Sequence, residues 1–294
     1  MNYKILQGDN IDHLKQLPEN SFDACITDPP YGMDMEDWDS KVPESDTWQE
    51  VLRVLKPGAF CLSFCSTDLY HRMASNMEQG GFRILDMINW IVTTKMSKNN
   101  RLKPAHEPIA VAQKPFKGTI KSNFEEWGVG QINIEKAKVP WDGKPPTGWL
   151  KGGSKRRVFG KGKTNKASKE QTGTEDADPT GRYPSNIIGY LDDPEHQKYF
   201  YAPRVTRKEK GEYNDHPTVK PISLMRYLTR VYSPLGGQIL DPFNGTGTTG
   251  IGSLIEGRSY TGIELSEHYA EISKRRINDY LKDSDQFSKL FDYE

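Results

Sequence analysis

A chain of 294 residues with 35% hydrophobic and 11% aromatic residues can bury a full core and is too apolar to be disordered throughout. No run approaches the ~20 apolar residues of a membrane-spanning helix, and the start, MNYKILQGDN, lacks a signal-peptide core, so a cytoplasmic protein without a membrane partner is expected. The net charge of +0 excludes neither an acidic nor a basic partner, because the charge is unevenly spread along the chain.

In chain order, residues 3–7 read as a strand ending at Gly8-Asp9, and residues 10–17 as a helix with apolar positions 11, 14 and 17. Residues 22–27 form the next strand, stopped by Pro29 and Pro30. An amphipathic helix over 48–58 should end at Pro57-Gly58, followed by a strand over 59–64 and a helix over 68–79. Strands at 83–93 and 108–113 complete a pattern that predicts a parallel α/β sheet covered on both faces. Cys25, Cys61 and Cys65 are odd in number and sit in apolar runs, which suits a reducing compartment. The spacing Cys61-x3-Cys65-x5-His71 lacks a fourth ligand, and buried small hydrophobes explain these cysteines better than a metal site does.

From about 114 to 200 the periodicity is lost. Residues 151–184 are close to low complexity, and so long an irregular stretch inside a domain is functional or disordered. Charge singles out the same part of the chain: residues 95–169 hold 18 Lys/Arg against 5 Asp/Glu, while 1–94 hold 7 against 15 and 170–294 hold 15 against 20. A basic middle between acidic ends is the footprint of a polyanion-binding insertion. Order returns with a helix over 221–232, a strand over 238–243, a helix over 248–257, a strand over 259–265 and a closing helix over 266–282.

The turn Asp241-Pro242-Phe243-Asn244-Gly245-Thr246-Gly247-Thr248-Thr249-Gly250 joins a strand to a helix and contains G-x-G-x-x-G, with Glu264 ending the next strand. That pattern fits a dinucleotide site in which the distant carboxylate takes ribose hydroxyls. Asp241 argues against it, because a carboxylate before the turn repels a pyrophosphate seated on the helix N-terminus. A cofactor with a ribose, a positive end and no phosphate fits better, and S-adenosylmethionine has these features. No Gly-Lys-Ser/Thr follows the glycines, so a P-loop is excluded.

With Asp28-Pro29-Pro30-Tyr31 first, then the basic region, then His216-Pro217-Thr218-Val219-Lys220-Pro221 and Asp241-Pro242-Phe243, the chain resembles the beta class of DNA amino-methyltransferases. The likeness covers about residues 3–113 and 213–282. It implies a Rossmann-like α/β fold with a mostly parallel seven-stranded sheet and helices on both faces. Residues 1–113 and 201–294 would form the catalytic domain, and 114–200 an inserted, partly flexible target-recognition region. It implies S-adenosylmethionine as cofactor and double-stranded DNA as partner. The class also admits a homodimer and a restriction endonuclease of the same restriction-modification system. Carried over by residue, Asp241, Phe243, Asn244, Gly245, Gly247 and Thr248 would hold the methionine part, Glu264 the ribose and Asp9 the adenine. Segment 216–221, Lys220 included, would close over the methionine end, and Asp28 would belong to the cofactor-binding set as well as to the catalytic block. No metal is implied.

An aromatic amine is a poor nucleophile because its lone pair is delocalised into the ring. Asp28 and the carbonyl of Pro29, accepting both N–H bonds, would localise that pair, with Pro30 fixing the carbonyl's direction. The target must leave the duplex at a cost of a few kcal/mol, and Tyr31 is the candidate to stack on it. Aspartate at the head of the block favours adenine N6 over cytosine N4, whose enzymes more often carry serine there. A catalytically silent cofactor- and DNA-binding module and a dinucleotide oxidoreductase are the other readings. Trp90, Lys95 and His106-Glu107-Pro108 resemble weaker family elements, with core packing and loop capping as equal alternatives; Arg156 and Arg157 would bind phosphates.

Overall fold

The computed structural model describes residues 2–32, 39, 41–92, 102–141, 143, 149–150, 174–175, 177–189, 209, 213–216 and 218–282. The first half builds β1 (Tyr3–Gln7), α1 (Asn10–Gln16), β2 (Phe22–Thr27), α2 (Ser45–Val54), β3 (Leu55–Phe64), α3 (Tyr70–Gln79), β4 (Arg83–Ile91) and β5 (His106–Gln113). Two short helices follow, α4 (Ile120–Trp127) and α5 (Ile134–Ala137), then β6 (Trp149–Leu150), β7 (Thr174–Glu175) and β8 (Ile187–Ile188). The last third gives α6 (Ile222–Tyr232), β9 (Gln238–Asp241), α7 (Thr248–Ile255), β10 (Ser259–Glu264) and α8 (Glu267–Lys282).

The main sheet has eight strands in the order β1-β10-β9-β2-β3-β5-β4-β8. Seven are those expected, and the eighth is a two-residue edge strand, β8, which pairs with β4 through Asn89 and Trp90. Only β5 runs against the others. β6 and β7 form a separate antiparallel pair.

Both faces of the sheet are covered, which is why β2 is buried at all six positions instead of alternating. On one face Leu14, Trp48, Val51, Met73 and Met77 of α1, α2 and α3 pack with Cys25, Cys61 and Cys65. The three thiols are buried and unpaired, so they behave as small core hydrophobes. On the other face Leu224, Tyr227 and Leu228 of α6 cover Ile26, Leu62 and Ile109. Ile251 of α7 and Ile277 of α8 pack together near β1.

The Pro57-Gly58 boundary differs from the expectation. The helix ends at Val54, and β3 runs through Pro57-Gly58. The pairing of β2 with β3 jumps from Phe22↔Leu55 to Ala24↔Phe60, so Pro57, which has no N–H to donate, sits in an irregularity of the ladder. Asn123 of α4 donates to the Pro57 carbonyl at 3.0 Å, and the Gly58 N–H reaches the Lys114 carbonyl at 3.0 Å. Residues 114–141 are likewise more regular than the sequence suggests. Thr119 and Ser122 cap α4 reciprocally, and Asn133 caps α5. Elsewhere the differences are of one to three residues at element ends, as where Pro221 sits at the N-cap of α6 instead of inside it.

Candidate active site

The chain leaves β9 toward β10 and leaves β2 toward β3, so the strand order reverses between β9 and β2. Connections that diverge in opposite directions open a crevice beyond the strand tips, where ligands of open α/β sheets bind. Asp241 and Asp28 stand at its two lips. Thr27 Oγ1 donates to Asp241 Oδ1 at 2.7 Å and ties the lips together. A cavity of about 1470 Å³ opens there, lined from Asp9 and Glu264 at one end to Tyr31, Trp90 and Glu107 at the other. Small-molecule pockets span ~300–1,000 Å³, so this space is large enough for a cofactor and a second group beside it.

At the end beside the glycine turn, Asp241 is 1% exposed and also accepts the Phe243 N–H at 3.1 Å. Burial raises its pKa to about 6, against the pull of its hydrogen bonds from Thr27, Thr249 and the Phe243 N–H. Glu264 accepts the Gly245 N–H at 2.7 Å and the Ser266 N–H at 2.9 Å, yet burial raises its pKa to about 7. No cation pairs with either carboxylate among the described residues, which suits a ligand carrying positive charge and hydroxyl donors and opposes an anionic one. The glycine turn needs its glycines. Gly245 has φ 52 and Gly247 φ 81, and a Cβ at Gly247 would overlap Ser273 Oγ.

Asp9 caps α1, accepting from Ile11 and Asp12 through Oδ1 alone, and it borders the cavity. Phe243 and Thr248 also line it. Asn244 reaches the lining too, but its side chain serves the turn: Oδ1 accepts from Tyr260 at 2.9 Å and Nδ2 donates to the Gly245 carbonyl. Behind the turn, buried Arg276 donates to the Thr246 carbonyl at 2.6 Å and to Thr248 Oγ1 at 3.2 Å, a support the sequence reading missed. His216 packs edge-on against Tyr269, 4.7 Å between ring centroids, beside Gly245.

At the other end, Asp28 Oδ1 accepts from Tyr31 Oη at 2.6 Å and Oδ2 accepts from Lys220 Nζ. Lys220, expected beside the cofactor, lines the same cavity and is held on Asp28. Glu107 Oε2 lies 3.5 Å from the same Nζ. Burial opposes the Lys220 ammonium, but Asp28 and Glu107 outweigh it and hold the pKa above the usual lysine value. Burial, then the Asp28 and Glu107 charges, push the Tyr31 phenol well up, so it stays a donor. Pro29 and Pro30 line the cavity, and Trp90 packs edge-on against Phe64. Asp39, 3% exposed, accepts the Tyr31 N–H at 2.6 Å and the Gly32 N–H at 2.9 Å, fixing the loop after the prolines. Nothing in the acidic run marks Asp39 out, because the Tyr31 and Gly32 donors it serves are backbone groups. Lys95, Arg156, Arg157 and Pro217 lie outside the described residues. Among those described, no group of three or more His, Cys, Asp or Glu could hold a metal ion.

A family model described as DNA methylase matches residues 22–275 of this chain. The type II methyltransferase M.HindIII of Haemophilus influenzae is 23% identical over 93% of this chain and 94% of its own length. The DNA adenine methyltransferase YhdJ of Escherichia coli is 27% identical over 93% and 82%. Among solved structures, the cytosine-N4-specific PvuII DNA methyltransferase superposes with a TM-score of 0.60 at 15% identity, over 96% of this chain and 92% of that one.

Proposed function

The chain belongs to the DNA methylase family, and on that premise we propose that it methylates the exocyclic N6 of adenine in duplex DNA, with the base flipped into the cavity. The observation that carries the reading is the pair of aspartates, Asp28 and Asp241, on the two lips of one crevice beside the Asp-Pro-Pro-Tyr corner. The family's methyl donor, S-adenosylmethionine, supplies an electrophilic methyl on a sulfonium. Asp241, Phe243 and the Gly245–Gly247 backbone would hold its methionine part, Glu264 its ribose and Asp9, through the oxygen not spent on capping, its adenine.

The residues of the acceptor end do the rest. Asp28 and the Pro29 carbonyl accept hydrogen bonds from the two N–H groups of the target amine and aim its lone pair at the methyl, a matter of positioning at near-attack distance. The methylated nitrogen, cationic at first, gives up one proton to solvent. The Tyr31 ring, freed from Asp28, covers the extruded base, and a stacked base is worth about 1–3 kcal/mol against the unstacking cost. The region 114–200 would supply target recognition, with its lysines and arginines on phosphates. Aspartate at the head of the block supports adenine. Incubating the chain with duplex DNA and methyl-labelled cofactor, then digesting to nucleosides, tests this. Label in N6-methyladenine is expected, and label in N4-methylcytosine moves the target to cytosine. Cofactor binding with no transfer to any DNA would leave a silent module.

A further inference from the structure

The acceptor end of the cavity holds a charge that the proposed chemistry does not use. Lys220 Nζ donates to Asp28 Oδ2 and lies 3.2 Å from Tyr31 Oη and 3.5 Å from Glu107 Oε2. The side chain is 8% exposed, and the ammonium sits 5.1 Å from the centroid of Phe64 and 5.4 Å from that of Tyr31. It therefore does what a target amine would do: it brings N–H donors to the Asp28 carboxylate in a slot walled by aromatic rings. Ammonium and amine cannot both hold that place.

Resting on the function proposed above, we propose that Lys220 is an internal stand-in for the target amine, and that Glu107 takes over its ammonium when the base enters. Among the described residues the cluster has two carboxylates and one cation. An ammonium withdrawn from Asp28 with no second anion would be left buried and unpaired, which is strongly unfavourable. Glu107, on β5 and 12% exposed, offers that anion within a short swing of the lysine stem. The two carboxylates keep the lysine charged in spite of burial, so the transfer moves a cation and no proton. While DNA is absent, the same contacts spare Asp28 from standing unpaired beside Glu107. Lys220 and Glu107 are thus positioning residues that act through Asp28.

Double-variant kinetics test this on the full chain, by single-turnover transfer from labelled S-adenosylmethionine to unmethylated genomic DNA. Glu107→Gln removes the receiving anion and leaves Lys220 locked on Asp28. Transfer should slow by about tenfold or more, with cofactor and DNA affinity within about twofold of wild type. Adding Lys220→Met removes the lock, so the double variant should transfer faster than Glu107→Gln alone, a non-additivity that loss of packing would not produce. Glu107→Gln at the wild-type rate, or a double variant no faster than the single, would overturn the hand-off. Melting curves check the fold, and Glu107→Ser replaces Glu107→Gln in both proteins if the glutamine variant does not fold. A wild-type chain that methylates no DNA would contradict the proposed function. One that does, with either failing pattern in the variants, would contradict the hand-off alone.

Discussion

Glu264, proposed to take the cofactor's ribose, would link the stability of the free protein to cofactor binding. Its pKa is raised by burial from 4.5 to about 7, so the sign of its effect on stability is set. A raised carboxyl contributes stability that is complete below its unfolded pKa and is lost as pH climbs through the folded value. The melting temperature of the cofactor-free protein should therefore fall between about pH 4.5 and 7, and Glu264→Gln should flatten that fall. Ribose hydroxyls donate best to the ionised form, so cofactor affinity measured by calorimetry should rise over the upper part of the same interval. Glu264→Gln should reduce that rise to the part that Asp241, with its pKa of about 6, contributes. That Asp28, Asp241, Glu264 and Asp9 would border one crevice was legible from sequence because each follows or ends a strand, and strand tips are where such folds bind ligands. Lys220 on Asp28, Asp39 on the Tyr31 loop and Arg276 behind the glycine turn were not, because each pairing joins distant parts of the sequence or depends on a backbone group.

At the scale of elements, long periodic segments and apolar runs bounded by Gly or Pro were read correctly, since burial on one or both faces dictates their pattern. The start of β3 was misread because Pro57-Gly58 is a local stop signal that tertiary bonds override. Lys114 Nζ donates to the Leu55 carbonyl at 2.7 Å, and Asn123 Nδ2 serves the carbonyls of Pro57 and Val129, each at 3.0 Å. The helices α4 and α5 lie in the stretch where the sequence periodicity is lost, so they were not recognised, and here capping side chains hold them. Asn123, 3% exposed, is then a structural clasp between α4 and the sheet. Asn123→Ala leaves two carbonyls without this donor and should destabilise the protein by about 1–3 kcal/mol in denaturant unfolding. Because the clasp lies away from the crevice, methyl transfer by the folded variant should stay near wild type.

For the whole molecule, the charge distribution carries information that the total hides. The two ends of the chain are acidic and residues 95–169 hold 18 Lys/Arg against 5 Asp/Glu, so DNA should be held mainly from the middle of the chain. Duplex affinity should drop steeply with salt, by roughly 10³–10⁵ between 50 and 200 mM if 6–10 phosphates are neutralised. Arg156→Ala and Arg157→Ala should each weaken binding about equally on every sequence and lower the salt slope by about 1. On the proposed function, the acidic crevice would hold the cofactor and the amine, and the basic middle of the chain the duplex. The central claim is that Asp28 holds the target amine. Transfer of labelled methyl from S-adenosylmethionine to duplex DNA by Asp28→Ala, compared with wild type, tests it most directly. The account predicts labelled N6-methyladenine from the wild type and none from Asp28→Ala, with cofactor binding and much of the DNA binding kept. Turnover retained by Asp28→Ala would contradict it.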